Sequence, residues 1–395
     1  MAMTELERAF QPGLTRDATA RQAFISELRR YILDDMAAAM RRSYESSVAP
    51  AFERAHGHTP RTQDQVHAAM RDDTCFQFYS SIRYNAQEMV WRSVIPEAQS
   101  ALPRLMEAVA RAPCPRGGTL VLDPGLPLPA NVANLDVHLM PGGYSPDDSP
   151  MAGAVYDRGL AVFAAGLMGT QQDDIGLSMA HYVRTRFPQL HPVRILDCGA
   201  TVGHNTLPWA RTFPDAEVHA IDVSAAALAY GHARAVSLGV PVHFRQMNAT
   251  DLKYPDASFD IVFSSMFLHE LPLEDIRRFF SQARRVLRPG GLLLNMELPP
   301  NRELSPYDQF YLDWDCYYNL EPYYRAFRDQ APEELIVAGG FAPESYVQFV
   351  VPQFSYMQES DFIAAVRASG TVGQDTGRLS TGVQWFAFGA WKQEG

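Results

Sequence analysis

The segment that most constrains the architecture reads Arg194-Ile-Leu-Asp-Cys-Gly-Ala-Thr-Val-Gly-His204. An apolar run ends at the acid Asp197, and glycines follow at positions 199 and 203, before residues typical of a helix. This order predicts a strand, a tight loop free of bulky side chains, and a helix. A second apolar run, Val218-His-Ala-Ile-Asp222, ends in an acid about 20 residues later, an offset that suits a ribose hydroxyl pair. Together the two segments predict a nucleoside-type cofactor at the carboxyl ends of parallel strands.

Segments typical of strands and helices alternate from residue 192 to residue 391. Helices are predicted over 224–238, where Ser224 suits the N-cap position, and over 332–338. The predicted strands cover 194–197, 217–221, 241–246, 259–264, 292–297, 345–351 and 383–391. Such alternation predicts an α/β fold with a Rossmann-like doubly wound sheet, which binds ligands at the carboxyl ends of its strands.

The first 150 residues differ from the rest in composition and in apolar spacing. Residues 1–111 contain few glycines and a repeated apolar spacing typical of helices. One predicted apolar helix face consists of Phe24, Leu28, Tyr31 and Ile32. Eight prolines and five glycines lie in 113–150 around short β-like runs such as 119–122, so this stretch is either a small β element closing the first domain or an ordered linker. We therefore predict a mainly helical accessory domain over 1–150, ending in this Pro/Gly-rich segment, and a Rossmann-like domain over 151–395.

The composition restricts the classes of partner. With 395 residues, 47% of them apolar, 20% charged and a formal net charge of −11, the chain is typical of a globular protein without the broad basic surface that nucleic acid requires. Four cysteines lie far apart and have no histidine at metal-ligand spacing, so no metal site is predicted. Charges occupy the amino terminus, and no apolar run reaches the roughly 20 residues that span a bilayer. These features predict a cytoplasmic protein without a membrane partner.

The motifs from residue 190 to about 300 resemble the class I S-adenosylmethionine-dependent methyltransferases. The resemblance implies that the loop after Asp197 cradles the methionine end of S-adenosylmethionine, and that Asp222 holds the ribose hydroxyls. Asn248-Ala249 corresponds to the family's adenine-contacting pair, and Phe267-Leu-His-Glu-Leu271 to its segment after the fourth strand. The cofactor-binding residues implied by the resemblance are Asp197, Gly199, Thr201, Gly203, Asp222, Val223, Asn248, Ala249, Ser264 and Tyr156.

The chain departs from the family pattern at two positions. Thr201 stands where the family usually has glycine, and Asn248 replaces the usual acid. The amide oxygen of Asn248 can still accept a hydrogen bond from the adenine amino group. Thr201 motivates an alternative, in which the chain is a non-catalytic cofactor-binding subunit that supports a partner enzyme.

Candidate catalytic groups lie at the predicted strand ends. His269 and Glu270 follow the fourth predicted strand and Glu297 closes the fifth, so each is a candidate acid, base or electrostatic group near the transferred methyl. A purely structural role is the alternative, most of all for His269. Methyl transfer needs such a base only where the acceptor atom carries a proton at neutral pH.

An aromatic-rich insertion over 298–330 is predicted to cover the acceptor as a lid. Nine aromatic residues and four acids occur between positions 307 and 327, a composition that suits a cation such as an amine. The predicted substrate-binding residues are Tyr307, Tyr311, Trp314 and Tyr318. Their helical spacing leaves open the alternative that these rings form helix core while the acids are solvated. We expect a small-molecule acceptor in biosynthetic metabolism, methylated on nitrogen, oxygen, carbon or sulfur, and a homodimer is one open assembly.

Overall fold

The computed structural model describes residues 13–111, 118–133, 135–144, 150–368 and 384–393. Its centre is an eight-stranded sheet with the order β1-β4-β3-β2-β5-β6-β8-β7. The strands are β1 Thr119–Val121, β2 Arg194–Cys198, β3 Glu217–Asp222, β4 His243–Gln246, β5 Phe259–Ser265, β6 Leu287–Glu297, β7 Tyr346–Pro352 and β8 Gln384–Trp391.

The sheet is doubly wound about β2. This strand pairs in parallel with β3 on one side and with β5 on the other, so the chain reverses its direction of growth there. Strand β8 runs antiparallel to β6, and β7 runs antiparallel to β8. Ligands bind outside the carboxyl ends of the strands at such a reversal point. The predicted α/β fold with a Rossmann-like sheet and a helical amino-terminal region is confirmed.

Helices cover both faces of the sheet and form most of the amino-terminal region. They are α1 Arg16–Tyr31, α2 Ala37–Ser43, α3 Ala49–His56, α4 Gln63–Met70, α5 Thr74–Arg111, α6 Ala130–Ala133, α7 Met151–Phe163, α8 Asp174–Arg186, α9 Leu207–Thr212, α10 Ala225–Ser237, α11 Leu273–Val286, α12 Pro306–Leu312, α13 Trp314–Tyr318, α14 Tyr324–Arg328, α15 Pro332–Ala338 and α16 Glu359–Ala368. The predicted cap of α10 is present, because the Ser224 side chain accepts a hydrogen bond from the Ala227 backbone N–H.

Strand β1 differs from both alternatives predicted for the Pro/Gly-rich segment. It pairs in parallel with β4, with Thr119 opposite His243, and so forms an edge of the main sheet. A three-residue strand carries too weak a pattern to reveal a partner that lies more than a hundred residues along the chain.

The apolar face predicted for the first helix is only half correct. Ile32 is buried and Leu28 packs beside the core, but Phe24 and Tyr31 are 60% and 54% exposed. The buried positions of α1 are Ala18, Ile25 and Arg29. Apolar residues lie on two sides of this helix, so their spacing does not identify the side that meets α5.

The amino-terminal helices share apolar clusters with later parts of the chain. Trp91 of α5 belongs to one cluster with Val155 and Tyr230, and Ile32 belongs to another with Trp314. The boundary at residue 150 therefore stays a prediction, and the structure shows continuous packing across it. Within the described residues, no helix is both long enough and apolar enough to cross a bilayer.

Candidate cofactor and acceptor site

A cavity of about 700 Å³ lies at the carboxyl ends of the central strands. On the sheet side it is lined by the loop that follows β2 and by the ends of β3 and β5. Residues of α1, α2 and the 298–330 insertion also line it. This volume is in the range of cavities that hold small molecules and cofactors. The predicted cofactor-binding residues that line it are Asp197, Gly199, Thr201, Asp222, Val223 and Tyr156.

The loop after β2 is shaped for close approach by a ligand. Gly199 has a φ of +77°, and a Cβ atom there would lie 2.4 Å from Cδ2 of Phe267, so only glycine fits. Thr201 adopts a φ of +45°, and its backbone N–H donates a 2.9 Å hydrogen bond to Oδ2 of Asp222. The backbone at position 201 thus ties the loop to the neighbouring strand end, a contact that a glycine there would also make.

Asp222 lines the cavity, and its carboxylate can accept further hydrogen bonds. Its Oδ1 accepts from the Ser224 backbone N–H at 2.9 Å, in addition to the bond from Thr201. A carboxylate can accept about four hydrogen bonds, so the backbone donors Ser224, Thr201 and Val223 leave Asp222 able to accept from a ligand hydroxyl. Burial raises the pKa of Asp222, and hydrogen bonds from Ser224 and Thr201 oppose that rise.

Asp197 is the second acid of the cavity. It is buried, and Oγ1 of Thr206 donates a 2.5 Å hydrogen bond to its Oδ2. Burial raises the pKa of Asp197 to about 7, although the Thr206 hydrogen bond lowers it. No ion pair joins Asp197 or Asp222 to a cation within the described parts of the chain. A buried acid and a half-buried acid of this kind suit a ligand that brings hydroxyl donors and a positive charge.

Four predicted cofactor-binding residues lie outside the lining of the cavity. Oδ1 of Asn248 accepts from both the backbone N–H and the hydroxyl of Thr250 at 2.9 Å, which closes a local turn. Ala249 is buried, and the Ser264 hydroxyl donates to Asn295 at 2.9 Å. A Cβ atom at Gly203 would meet Leu207 at 3.0 Å, so this glycine serves packing beneath the loop.

His269 and Glu297 form a buried pair at the ends of β5 and β6. Nδ1 of His269 lies 2.6 Å from Oε2 of Glu297, and Oε1 of Glu297 accepts from the backbone N–H groups of Phe267 and Leu268. Burial by itself lowers the pKa of His269, but the charge and hydrogen bond of Glu297, together with Glu321, raise it to about 9. His269 lines the cavity, whereas Glu297 stands behind it with both oxygens engaged. Glu297 is therefore placed to orient His269.

Glu270 faces the cavity beside His269. The Tyr144 hydroxyl donates to its Oε1 at 3.1 Å, and Nε2 of His138 lies 3.8 Å from the same oxygen. Burial raises the pKa of Glu270 to about 6, against the lowering effect of His138. At neutral pH this group is mostly ionised and able to accept a proton.

His138 and Tyr144 contribute to the site but were not predicted from the sequence. His138 joins three parts of the chain, because its carbonyl accepts from Trp91 at 2.7 Å and its Nδ1 lies 2.9 Å from Oε1 of Glu321. Both residues lie in the Pro/Gly-rich segment, more than 120 residues before Glu270. Nothing in the local pattern signals so distant a contact.

The insertion divides between the cavity and the apolar core. Tyr307 and Tyr311 line the cavity. Trp314 packs against Arg83, whose Cζ is 3.9 Å from the ring centroid, and Tyr318 packs against Trp314, with ring centroids 5.3 Å apart. Neither Trp314 nor Tyr318 is among the described residues that line the cavity. The structure thus places two of the four predicted substrate-binding rings in a position to touch an acceptor.

Each acid of the aromatic-rich segment has a basic neighbour. These pairs are Asp308 with Arg41, Asp313 with Arg325, Asp315 with Arg83, and Glu321 with the imidazoles of His138 and His269. The sequence argument for an amine acceptor needs carboxylates that can hold a cation. The structure gives that argument no support, since these carboxylates are already paired.

The amino-terminal helices supply part of the cavity wall. Arg29, Leu33, Ala37 and Arg41 line the cavity along one side of α1, α2 and the turn between them. They recur every four residues, so a helical projection of the sequence places them in one stripe. This spacing was the available signal, and it was missed because the stripe mixes basic and small side chains.

Comparison with known proteins identifies the type of domain that contains the loop after β2. Residues 195–291 match the family model described as a methyltransferase domain. The chain is 33% identical over 109 residues to the demethylmenaquinone methyltransferase of Thermus thermophilus, covering 28% of this chain and 49% of that protein. It is 39% identical over 102 residues to the 27-O-demethylrifamycin SV methyltransferase of Amycolatopsis mediterranei, covering 25% of this chain and 36% of that protein. The matches thus span about half or less of these relatives.

Among solved structures, a phosphoethanolamine N-methyltransferase 2 of Haemonchus contortus with bound S-adenosylhomocysteine aligns with a TM-score of 0.41 and 21% identity, over 61% of this chain and 58% of that one. S-adenosylmethionine is the cofactor of this type of domain, and the residues that would hold it are the loop after β2 with Asp197 and Asp222. The doubly wound sheet, the two acids at neighbouring strand ends and the match over 195–291 lead to one assignment. The chain carries a class I S-adenosylmethionine-dependent methyltransferase domain.

Proposed function

We propose that this protein transfers a methyl group from S-adenosylmethionine to a small-molecule acceptor in biosynthetic metabolism. The observation that carries the proposal is the continuity of one cavity from Asp197 and Asp222 to Glu270, His269 and the amino-terminal helices. A cofactor at the strand ends and an acceptor beneath the helices would share this space. The amino-terminal region then acts as a cap that shields the acceptor from water.

The residues around the acceptor have distinct roles in this proposal. When bound, S-adenosylmethionine supplies an electrophilic methyl group, so the protein mainly aligns the acceptor atom. Glu270, with its pKa raised to about 6 by burial, accepts the proton of an acceptor that carries one. His269, charged at neutral pH because Glu297 raises its pKa to about 9 against burial, donates a hydrogen bond to developing negative charge on the acceptor. Glu297 orients the imidazole.

A non-catalytic cofactor-binding subunit is the less favoured candidate. Such a subunit needs only the cofactor residues, whereas here the cavity continues to ionisable groups on three separate elements. Thr201, which motivated that alternative, is part of an ordered loop bonded to Asp222.

The test is incubation of the purified protein with S-adenosylmethionine labelled on its methyl carbon and a metabolite extract. We expect label in an organic product of low molecular mass, and much less of it with the Asp222→Ala variant at a cofactor concentration that does not saturate that variant. Calorimetry with S-adenosylhomocysteine provides the independent binding measurement. A protein that binds S-adenosylhomocysteine but labels nothing in any extract would favour the non-catalytic subunit.

A further inference from the structure

His138 lies against Glu270, the carboxylate that accepts a proton in the proposed function. We propose that His138 is a positioning residue for this step: its imidazole keeps Glu270 ionised and engages one carboxylate oxygen, so that the other oxygen receives the proton of the acceptor. The inference rests on the proposed function and adds to it a residue that acts through Glu270.

The backbone of His138 is held in an uncommon conformation. Its φ is +58° and that of Leu139 is +57°, a left-handed region that residues with a Cβ atom seldom adopt. The His138 carbonyl accepts from Nε1 of Trp91 at 2.7 Å and from Nε2 of Gln87 at 2.9 Å. The His138 N–H donates to the Asn319 carbonyl at 3.0 Å. Residues held in this way by their surroundings are concentrated at functional sites.

The imidazole of His138 lies between two carboxylates. Its Nδ1 is 2.9 Å from Oε1 of Glu321, and its Nε2 is 3.8 Å from Oε1 of Glu270. The side chain of Glu321 is buried, and Nδ2 of Asn319 donates to it at 2.6 Å. Two carboxylates at such distances favour the charged form of an imidazole. The fold therefore holds a positive charge beside Glu270.

Both side-chain contacts of Glu270 involve the same oxygen. The Tyr144 hydroxyl donates to Oε1 at 3.1 Å, and Nε2 of His138 faces this oxygen too. Among the described residues, no side chain forms a hydrogen bond with Oε2. Since Glu270 lines the cavity, Oε2 is the oxygen available to an acceptor. The proton leaves the acceptor atom and forms an O–H bond at Oε2.

Other ionisable groups also act on Glu270, and His138 has the largest effect among those that favour its charged form. Burial raises the pKa of Glu270 and His138 lowers it, followed by the lowering effect of His269 and the raising effect of Glu321, which leaves it at about 6. Burial raises the pKa of Tyr144 and of Tyr156, so both hydroxyls stay neutral beside it. Without His138, Glu270 is therefore expected to hold its proton at neutral pH.

Titration of the Glu270 carboxyl in the ligand-free protein tests the inference. Carbon-13 NMR of protein labelled at the glutamate carboxyl carbons follows the titration, and Glu270→Gln identifies the resonance by its loss. His138→Asn removes the imidazole, and asparagine tolerates the left-handed backbone. We expect this variant to raise the Glu270 midpoint by at least about one pH unit, the effect of losing an opposite charge at this range. His191→Asn, at an exposed histidine before β2, is the control and is expected to change nothing.

Methyl transfer gives a second measurement. The rate of labelling in a metabolite extract is followed from pH 6 to pH 8.5 with saturating S-adenosylmethionine. A one-unit rise in the midpoint of the base makes the ratio of His138→Asn rate to wild-type rate increase about fivefold over this range. A residue that only supports the fold would lower the rate by the same factor at every pH.

Glu270→Gln examines the same contact from the other side, in case His138→Asn does not fold. Coupling between two titrating groups is reciprocal, so loss of the Glu270 charge is expected to lower the His138 midpoint by a similar amount. Proton NMR of the imidazole, assigned through bonds in labelled protein, measures it. An unchanged Glu270 midpoint in His138→Asn, an unchanged His138 midpoint in Glu270→Gln, or a rate ratio independent of pH would overturn the inference. Wild-type protein that labels nothing would contradict the proposed function, while the two titrations would still decide whether His138 controls the charge of Glu270.

Discussion

At the residue scale, Asp222 is the sharpest test of the cofactor site. Its carboxylate holds the loop through Thr201 and keeps accepting capacity toward the cavity. Asp222→Ala is expected to weaken S-adenosylmethionine binding by at least about 1.5 kcal/mol, the scale of a lost charge-assisted hydrogen bond. Calorimetry measures the change. Asp251→Ala, at an exposed acid paired with Lys253, is the matched control. Unchanged affinity in folded Asp222→Ala protein would contradict the assignment.

We expect Asp197 to make cofactor binding dependent on pH. Burial raises its pKa to about 7 from 3.8, so in the ligand-free fold it is largely protonated below neutrality. The folded state then holds more protons than the unfolded state, and this group's contribution to stability falls as pH rises from about 4 to 7. Binding a cationic ligand favours the ionised acid. Affinity for S-adenosylmethionine is therefore expected to rise between pH 6 and pH 8, with proton release on binding.

Calorimetry near pH 6.5 in two buffers of different ionisation enthalpy measures that proton release. Asp197→Asn removes the titration, so its binding enthalpy is expected to lose the part of the buffer dependence that Asp197 contributes. Equal wild-type affinity at pH 6 and pH 8, with no proton released, would show that protonation of Asp197 is not coupled to cofactor binding.

The His269–Glu297 pair makes a prediction about stability. Because Glu297 raises the pKa of His269 to about 9, above its ordinary 6.5, the pair's stabilisation is fully present below pH 6.5 and is lost as pH rises through 9. Glu297→Gln is expected to lower the free energy of unfolding by about 3–5 kcal/mol at pH 7, since it leaves a buried charge without its partner. This loss of unfolding free energy is expected to be smaller at pH 10.

Chemical denaturation at both pH values measures this difference. Glu274→Gln, which breaks an exposed ion pair with Arg278, is expected to cost less than about 1 kcal/mol and serves as the control. If Glu297→Gln lowers the free energy of unfolding equally at pH 7 and pH 10, the loss does not depend on the charge of His269.

At the scale of elements, the strands were predictable and the helix faces were not. A buried parallel strand reads as a short apolar run, so β2 and β3 were predicted within one residue of their observed ends. Helix α1 carries apolar residues on two sides, and the spacing alone could not separate the exposed Phe24 from the buried Ile25. Which side is buried depends on where α5 packs, and that position is set by the tertiary structure.

Two residues of the 298–330 insertion allow a core position to be compared with a cavity position. Trp314 is buried against Arg83, whereas Tyr311 lines the cavity. Trp314→Ala is expected to lower the free energy of unfolding by about 3–5 kcal/mol, the cost of an emptied aromatic core site. Tyr311→Ala is expected to reduce methyl transfer to the labelled product with a smaller loss of stability. Thermal unfolding and the labelling assay on both variants separate the two roles. A stable Trp314→Ala protein that has lost methyl transfer would reverse them.

At the scale of the whole molecule, the sequence predicted the residues that follow the strands, but not the amino-terminal residues and His138 that line the cavity with them. The cofactor residues follow strands that are adjacent in the sheet, so motif order predicts their meeting. Arg29, His138 and Glu270 come together from positions more than a hundred residues apart. These residues meet only because the helices pack over the strand ends. The periodicity of the local sequence does not predict that packing.

The shared packing leads to a last prediction, about cooperativity. Trp91, Val155 and Tyr230 belong to one apolar cluster, and Ile32 with Trp314 to another, so unfolding the amino-terminal helices would expose the apolar surface of the later chain. We therefore expect the full chain to unfold in one calorimetric transition, with calorimetric and van't Hoff enthalpies in agreement. S-adenosylhomocysteine is expected to raise the temperature of the whole transition. Two separate transitions, of which only the later one responds to the ligand, would show instead that the amino-terminal region unfolds as an independent domain.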